Sequence, residues 1–277
     1  MADYAILAKA QSINVIAQFI SDLHNLKAIL GQTNVQIMAP GSAWKMYKAE
    51  GTVKSGTVAE KAEITDSDLK MEAAAVTEIT YQKYRNLTSI EAIGKMGYEV
   101  AVSGTNATLL KDVQKGIRKS IFTALNTGTG TAKGTGFQDK CAKAAAALSK
   151  VFEDEAASPI LFANPDDAYE YLGSHNVTLE SGFGLSYLKN FLGLGNVIID
   201  SNVPAGTVLA TAAENLVLTA ASLIGIPGMD LMTDESGILA VHNDARYDRA
   251  ALETVVYSGL AVQPIFIDRI FKVTSAA

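Results

Sequence analysis

The chain has 277 residues, with 23 Lys and Arg against 29 Asp and Glu, for a formal net charge of −6. That balance excludes a nucleic-acid reader of the ordinary kind, whose affinity comes from clustered Lys and Arg against phosphates. Hydrophobic residues make up 48% and charged ones 19%, against roughly 25% charged in ordinary soluble domains. Material for a core is ample and charge to coat a monomer is short, so part of the surface is expected to be covered by partners.

No apolar run approaches the roughly 18 to 20 residues that span a bilayer, so no membrane partner is expected. The first residues carry Asp3 where a secretory signal needs positive charge, which implies a protein made and kept in the cytoplasm. The single cysteine, Cys141, allows neither an internal disulfide nor a multi-cysteine zinc site.

In chain order, Ile13, Ile16, Ile20, Leu23, Leu26 and Leu30 recur at three- and four-residue steps, which predicts an amphipathic helix over Ser12–Leu30. Ser12 fits its N-cap and Gly31 the residue past its end. Residues 1–35 therefore read as an N-terminal arm ahead of the main body. From Trp44 to Met71 the chain is strand-like with interleaved charge: Lys45, Lys48, Glu50, Lys54, Glu60, Lys61, Glu63, Asp66, Asp68 and Lys70, with turn points at Gly51 and Gly56. Such a hairpin cannot form its own core. It is either a solvated loop or a long arm laid on a neighbouring subunit.

Leu110, Val113, Ile117, Ile121 and Leu125 form one stripe of a helix predicted over Thr105–Asn126, capped by Thr105 or Asn106, with Lys111, Lys115, Arg118 and Lys119 on its other side. Thr127–Gly136 is polar and glycine-rich and reads as a mobile linker. Phe137–Phe152 is helical by spacing and Ile160–Ala163 a short buried strand. Asn164, Pro165, Asp166 and Asp167 make a strong helix start, and Gly173 ends that helix. Short β-rich runs follow at Val197–Ile199, Val208–Thr211, Leu216–Leu218, Ile238–Val241, Val255–Leu260 and Ile265–Val273.

Little in the sequence points to chemistry. The run from Gly128 to Thr135 has Lys133 before Gly134 and a helix leading in, whereas a phosphate-binding loop needs the reverse order and a strand leading in. Three Ser-x-x-Lys tetrads, Ser42–Lys45, Ser67–Lys70 and Ser186–Lys189, lack the companion motifs that would give them meaning. His24, His175 and His242 have no partner at metal-ligand spacing. The pairs Asp166–Asp167 and Asp234–Glu235 read as cap and turn residues, and Trp44, Tyr81 and Tyr84 as packing residues rather than base-stacking ones. No catalytic, cofactor-binding or metal-binding residue is assigned, no cofactor is expected, and an enzyme is not the expected class.

The order of elements resembles the Hong Kong 97-type fold of tailed-phage major capsid proteins. The residues that carry the resemblance are Ala39–Ser42 leading into Trp44, Met46 and Tyr47; Leu109–Arg118; Ile160–Gly173; Phe191–Ile199; Thr211–Leu216; and Thr233–Asp244. The resemblance implies an α+β capsid fold. Its parts would be an N-terminal arm at 1–35, an extended hairpin loop at 36–75, a peripheral domain with a spine helix at 76–128, an axial α/β domain at 129–236, and closing strands at 237–277. It also implies a subunit that assembles with itself as pentamers and hexamers into an icosahedral or prolate shell in the virion, built in the host bacterial cytoplasm. Partners would be a separate scaffolding protein and a portal, with weak non-specific contact to packaged double-stranded DNA. An encapsulin-type nanocompartment shell is the nearest alternative, and an α/β enzyme with an unrecognised site is the alternative from another class.

Overall fold

The computed structural model describes residues 2–32, 34–39, 41–52, 54, 66–152 and 157–276. In chain order the elements are α1 (Ala2–Ile29), β1 (Val35–Met38), β2 (Ala43–Thr52), β3 (Asp68–Glu78), β4 (Gln82–Ser89), α2 (Ile90–Met96), α3 (Tyr98–Leu125) and β5 (Gly130–Gly134). There follow α4 (Gly136–Val151), β6 (Pro159–Ala163), α5 (Pro165–Leu172), β7 (Glu180–Gly182), β8 (Leu185–Leu188), β9 (Asn196–Ile199), β10 (Val208–Ala212) and β11 (Leu216–Ala221). The last are β12 (Met232–Thr233), β13 (Leu239–Arg246), β14 (Ala251–Ser258), β15 (Leu260–Pro264) and β16 (Phe271–Ser275).

Four sheets result among the described residues. A seven-stranded sheet runs β5-β16-β10-β6-β9-β8-β7, a four-stranded one β12-β13-β14-β4, a three-stranded one β1-β11-β15, and β2 pairs with β3 alone. One core joins α1 and α3 to the inner faces of the sheets through Phe19, Leu26, Leu30, Ile117, Leu125, Leu209 and Leu218, all fully buried. A second core packs α4 and α5 on the seven-stranded sheet through Cys141, Leu148, Leu161, Leu188 and Val197. Burial pushes the Cys141 thiol up to about 12, so it is a small apolar side chain rather than a nucleophile.

Helix α1 is longer than its periodicity indicates. It begins at Ala2, because residues 2–11 are mostly Ala, Leu, Lys and Gln, good helix formers that carry no cap signal. Ser12 is therefore not the N-cap. It lies mid-helix, buried, where its hydroxyl accepts from Asn243 Nδ2 at 2.5 Å. The C-terminus does end as expected: Gly31 has φ +60° and the Gln32 N–H donates to Lys27 O at 2.8 Å. With Phe19 and Leu26 in the main core, α1 is part of the body that it adjoins.

The same correction applies to α3. It is 28 residues long and starts after Gly97, whose φ of +83° turns the chain out of α2. Thr105 and Asn106 do not cap it. Thr105 Oγ1 donates back to Ala101 O at 3.0 Å and contacts Thr88 Oγ1 at 2.7 Å. Asn106 is buried, and neither of its amide atoms has a partner among the described residues. The glycine-rich segment after α3 is no linker: Gly130–Gly134 is β5, parallel to β16 with Phe271 opposite Gly130 and Val273 opposite Ala132. Gly128 and Gly130 are required there because a Cβ would fall 2.5 Å from Ile270 Cγ2 or 2.7 Å from Phe271 Cδ1.

Elsewhere the sequence reading holds closely. Asn164 caps α5 by accepting from the Asp166 N–H at 2.9 Å, with Pro165 at the first position. The run Val255–Leu260 divides into β14 and β15 at Gly259, where a Cβ would meet Ala221 O at 2.7 Å. The run Ile265–Val273 is interrupted by a single 3-10 turn, Ile267–Arg269, before β16.

Candidate functional site

Three surfaces stand out because nothing in the chain explains their exposure. The first is the β2–β3 ribbon. Its root is anchored where Trp44 and Ile79 are buried against Ala221, with Trp44 Nε1 donating to Gln36 Oε1 at 3.2 Å. Beyond the root the strands pack chiefly on each other. Ten residues of extended chain reach about 33 Å. The register pairs Tyr47 with Ala73, Ala49 with Met71 and Gly51 with Leu69, so Tyr47, Leu69 and Met71 share one face. Their exposures are 55%, 52% and 67%. The alternate positions of the register set Lys48 opposite Glu72 and Glu50 opposite Lys70. The tip, including Gly56, Glu60, Lys61 and Glu63, lies outside the described residues.

The second surface is at the far end of the four-stranded sheet. The tight turn Tyr247–Arg249 between β13 and β14 leaves Tyr247 91% exposed and holds Ala250 at φ +44°. The Ile90 N–H donates to Ala250 O at 2.9 Å, which sets the start of α2 beside that turn. Helix α2 buries none of its residues although it carries Ile90, Ile93 and Met96, and Val100 continues the apolar exposure into α3. On the adjoining outer sheet face, Glu253 is buried between Arg85, with which it pairs directly, and Arg246 at 3.5 Å. An open depression of about 380 Å³ lies there, lined by Lys83, Arg85, Arg246, Val255 and Tyr257.

The third is the solvent side of α3, which carries Lys111, Lys115 and Lys119, all exposed. Arg118, grouped with them by sequence, is turned inward. Its Nη1 donates to Gly184 O and lies 3.9 Å from Asp200 Oδ2, tying α3 to the seven-stranded sheet.

The histidines, paired carboxylates and tyrosines singled out by the sequence are placed apart and engaged locally. Asp234 accepts from the backbone N–H groups of Ser236, Ile238 and Leu239 at 2.9, 2.8 and 2.9 Å, closing the turn before β13. Asp167 accepts from the Gly206 N–H at 2.7 Å, while Lys140, itself buried, donates to Gly206 O at 2.7 Å. His175 stacks on Tyr171 with ring centroids 4.0 Å apart, and His242 Nδ1 lies 2.7 Å from Asp230 O. Tyr81 donates to Ser222 O at 2.9 Å and Tyr84 to Gln82 Oε1 at 2.8 Å, so these tyrosines are packing residues. Among the described residues no group of three His, Cys, Asp or Glu converges, and no helix is long and apolar enough to cross a membrane.

No protein-family model matches the sequence, and no curated protein does either. Solved structures do. The chain is similar to the capsid of a native GTA particle, with TM-score 0.60, 11% identity, and 91% of this chain and 90% of that one covered. It is similar to the capsid of cyanophage A-1(L), with TM-score 0.55, 13% identity, and coverage of 90% and 92%. It is also similar to an encapsulin complex from Synechococcus elongatus, with TM-score 0.53, 11% identity, and coverage of 87% and 84%. The long α3 across a sheet, the two-stranded ribbon and the α/β layer thus belong to one architecture, and the chain has the Hong Kong 97-type fold of phage capsids and encapsulins.

Proposed function

We propose that the protein is the structural subunit of a self-assembling phage capsid shell. The observation that carries this is the ribbon: about 33 Å of paired chain with Tyr47, Leu69 and Met71 exposed on one face. A two-stranded ribbon is marginal alone, and apolar side chains held in water gain nothing from that geometry. A second copy that covers this face supplies the missing burial, and the low charge of the whole chain fits a surface mostly used in subunit contacts.

In this reading the ribbon is the extended loop, α3 is the spine of the peripheral domain, and the seven-stranded sheet with α4 and α5 is the axial domain. The subunit closes as pentamers and hexamers into the shell of a virion, assembled in the bacterial cytoplasm around double-stranded DNA, with a separate scaffolding protein and a portal as partners. The role is architectural rather than enzymatic. An encapsulin shell uses the same fold and is the second reading, supported by the similarity to the Synechococcus elongatus structure. Electron microscopy of the purified protein separates both from a monomeric enzyme, and the nucleic-acid content of the particles separates a genome container from a protein-loaded compartment.

A further inference from the structure

We infer that the free edge of β4 is the docking site for an extended, acidic peptide segment of a partner protein, which adds to the four-stranded sheet as a fifth strand; this goes beyond the shell reading and does not depend on it. Strand β4 ends the order β12-β13-β14-β4. Its residues, Gln82–Ser89, all pair with β14 on one side. Among the described residues no strand pairs on the other side. The remaining sheet edges outside the ribbon are β1, β15, β5, β7 and β12, with 4, 5, 5, 3 and 2 residues against 8 in β4. Edges that short offer little to pair with, whereas β4 presents about 26 Å of template.

Charge decides what this edge accepts. Tyr84 packs on Gly116 and Thr88 contacts Thr105, so the even residues of β4 face α3 and Lys83 and Arg85 face the other way. The strand carries no acid of its own. On β14, Glu253 pairs with Arg85 and lies 3.5 Å from Arg246, which fixes both side chains on this face while leaving them 44% and 41% exposed. The open depression of about 380 Å³ beside them is lined by three cations, Lys83, Arg85 and Arg246, against the one acid, Glu253. Asp244, opposite Glu253, and Asp248, 3.4 Å from Arg246 Nε, belong to β13 and its turn, two strands in from the edge. Below the edge, the exposed Asp112 of α3 is balanced by the exposed Lys115, three positions on. A second copy paired edge to edge would set Lys83 and Arg85 against the same two cations, which disfavours self-pairing. An acidic strand meets opposite charge at alternate residues and gains backbone hydrogen bonds along its length. A nucleic acid meets the cations but has no strand to offer the backbone.

The test combines fluorescence anisotropy with hydrogen exchange on the purified protein, kept below the concentration at which it assembles. The probe is an end-labelled octapeptide of alternating Glu and Val. It is compared with a peptide of alternating Lys and Val, and with the acidic peptide carrying two adjacent prolines at its centre, which removes pairing N–H groups. The acidic probe should bind and slow exchange within Gln82–Ser89, and the other two should not. Lys83→Glu, at an exposed position outside the Arg85–Glu253 pair, should weaken the probe about fivefold and leave the thermal transition unchanged. Failure of the acidic probe to bind, equal binding of either comparison peptide, or equal affinity for the Lys83→Glu variant would overturn the inference. So would equal protection of Gln82–Ser89 by a random-sequence DNA duplex. Protection that rises with protein concentration alone would put a second copy on the edge and overturn it as well. None of these readouts requires particles, so the shell reading can fail while the edge assignment stands, or the reverse.

Discussion

Asp234 holds the turn into β13 by accepting three backbone N–H groups while itself nearly buried. Removing a carboxylate from buried donors leaves them unpaired at about 1–3 kcal/mol each. Asp234→Ala is therefore expected to lower the urea midpoint by an amount equivalent to about 3 kcal/mol, with Asp234→Asn recovering part of it. Asp22 supplies a pH-dependent counterpart. It accepts from Gln114 Nε2 at 2.6 Å across the α1–α3 contact, and burial raises its pKa more than that hydrogen bond lowers it. The native state thus binds the Asp22 proton more tightly than the unfolded chain does. Its contribution is most favourable below the unfolded pKa and declines as pH rises through the folded one. Asp22→Asn should be neutral in acid and increasingly stabilising relative to wild type as pH rises to neutrality. A stability difference that does not change with pH would show that Asp22 is not desolvated. Local signals of this kind were partly legible in the sequence. The Asn164 cap was, because cap, proline and acids stand together; the roles of Ser12, Thr105 and Asn106 were not, because a hydroxyl or amide inside a helix looks the same as one at its start.

The elements were mostly legible where hydrophobic period and length agreed, as in α3, α4 and β9, and were misread where glycine suggested a break. Gly128 and Gly130 permit close passage of Ile270 and Phe271, which a single sequence cannot distinguish from flexibility. The ribbon shows the same limit from another side. Its charge density was plain, but the segregation of Tyr47, Leu69 and Met71 onto one face depends on the register, including the irregularity between Met46 and Tyr47. That segregation makes a sharp expectation. Tyr47→Ser, Leu69→Ser and Met71→Ser together should leave the thermal transition and circular dichroism of the subunit intact, because these side chains contribute little to its own core, while sharply reducing assembly. Shortening the ribbon to a tight turn between Met46 and Ala75, which are paired across it and leave the buried Trp44 in place, should do the same. Loss of folding in the triple variant would place the ribbon's apolar face inside the subunit; normal assembly would remove its role as an arm.

At the scale of the molecule, no single motif carries the reading. Composition gave a surface short of charge, the element order gave the resemblance, and the solved structures share the architecture at 11–13% identity. Such low identity is physically reasonable, since a fold of this kind constrains burial pattern, strand length and the lengths of α3 and the ribbon, and constrains few particular side chains. The surfaces exposed in one copy are not legible as interfaces from sequence, because an exposed Tyr247 or Met71 becomes meaningful only when its neighbours in space are known. The most direct measurement is sedimentation of the purified protein combined with electron microscopy of the same sample. The account expects rings or closed shells of uniform size, in equilibrium with small oligomers at low concentration. A single compact species of 29.3 kDa that persists at high concentration, with no particles on the grid, would contradict it.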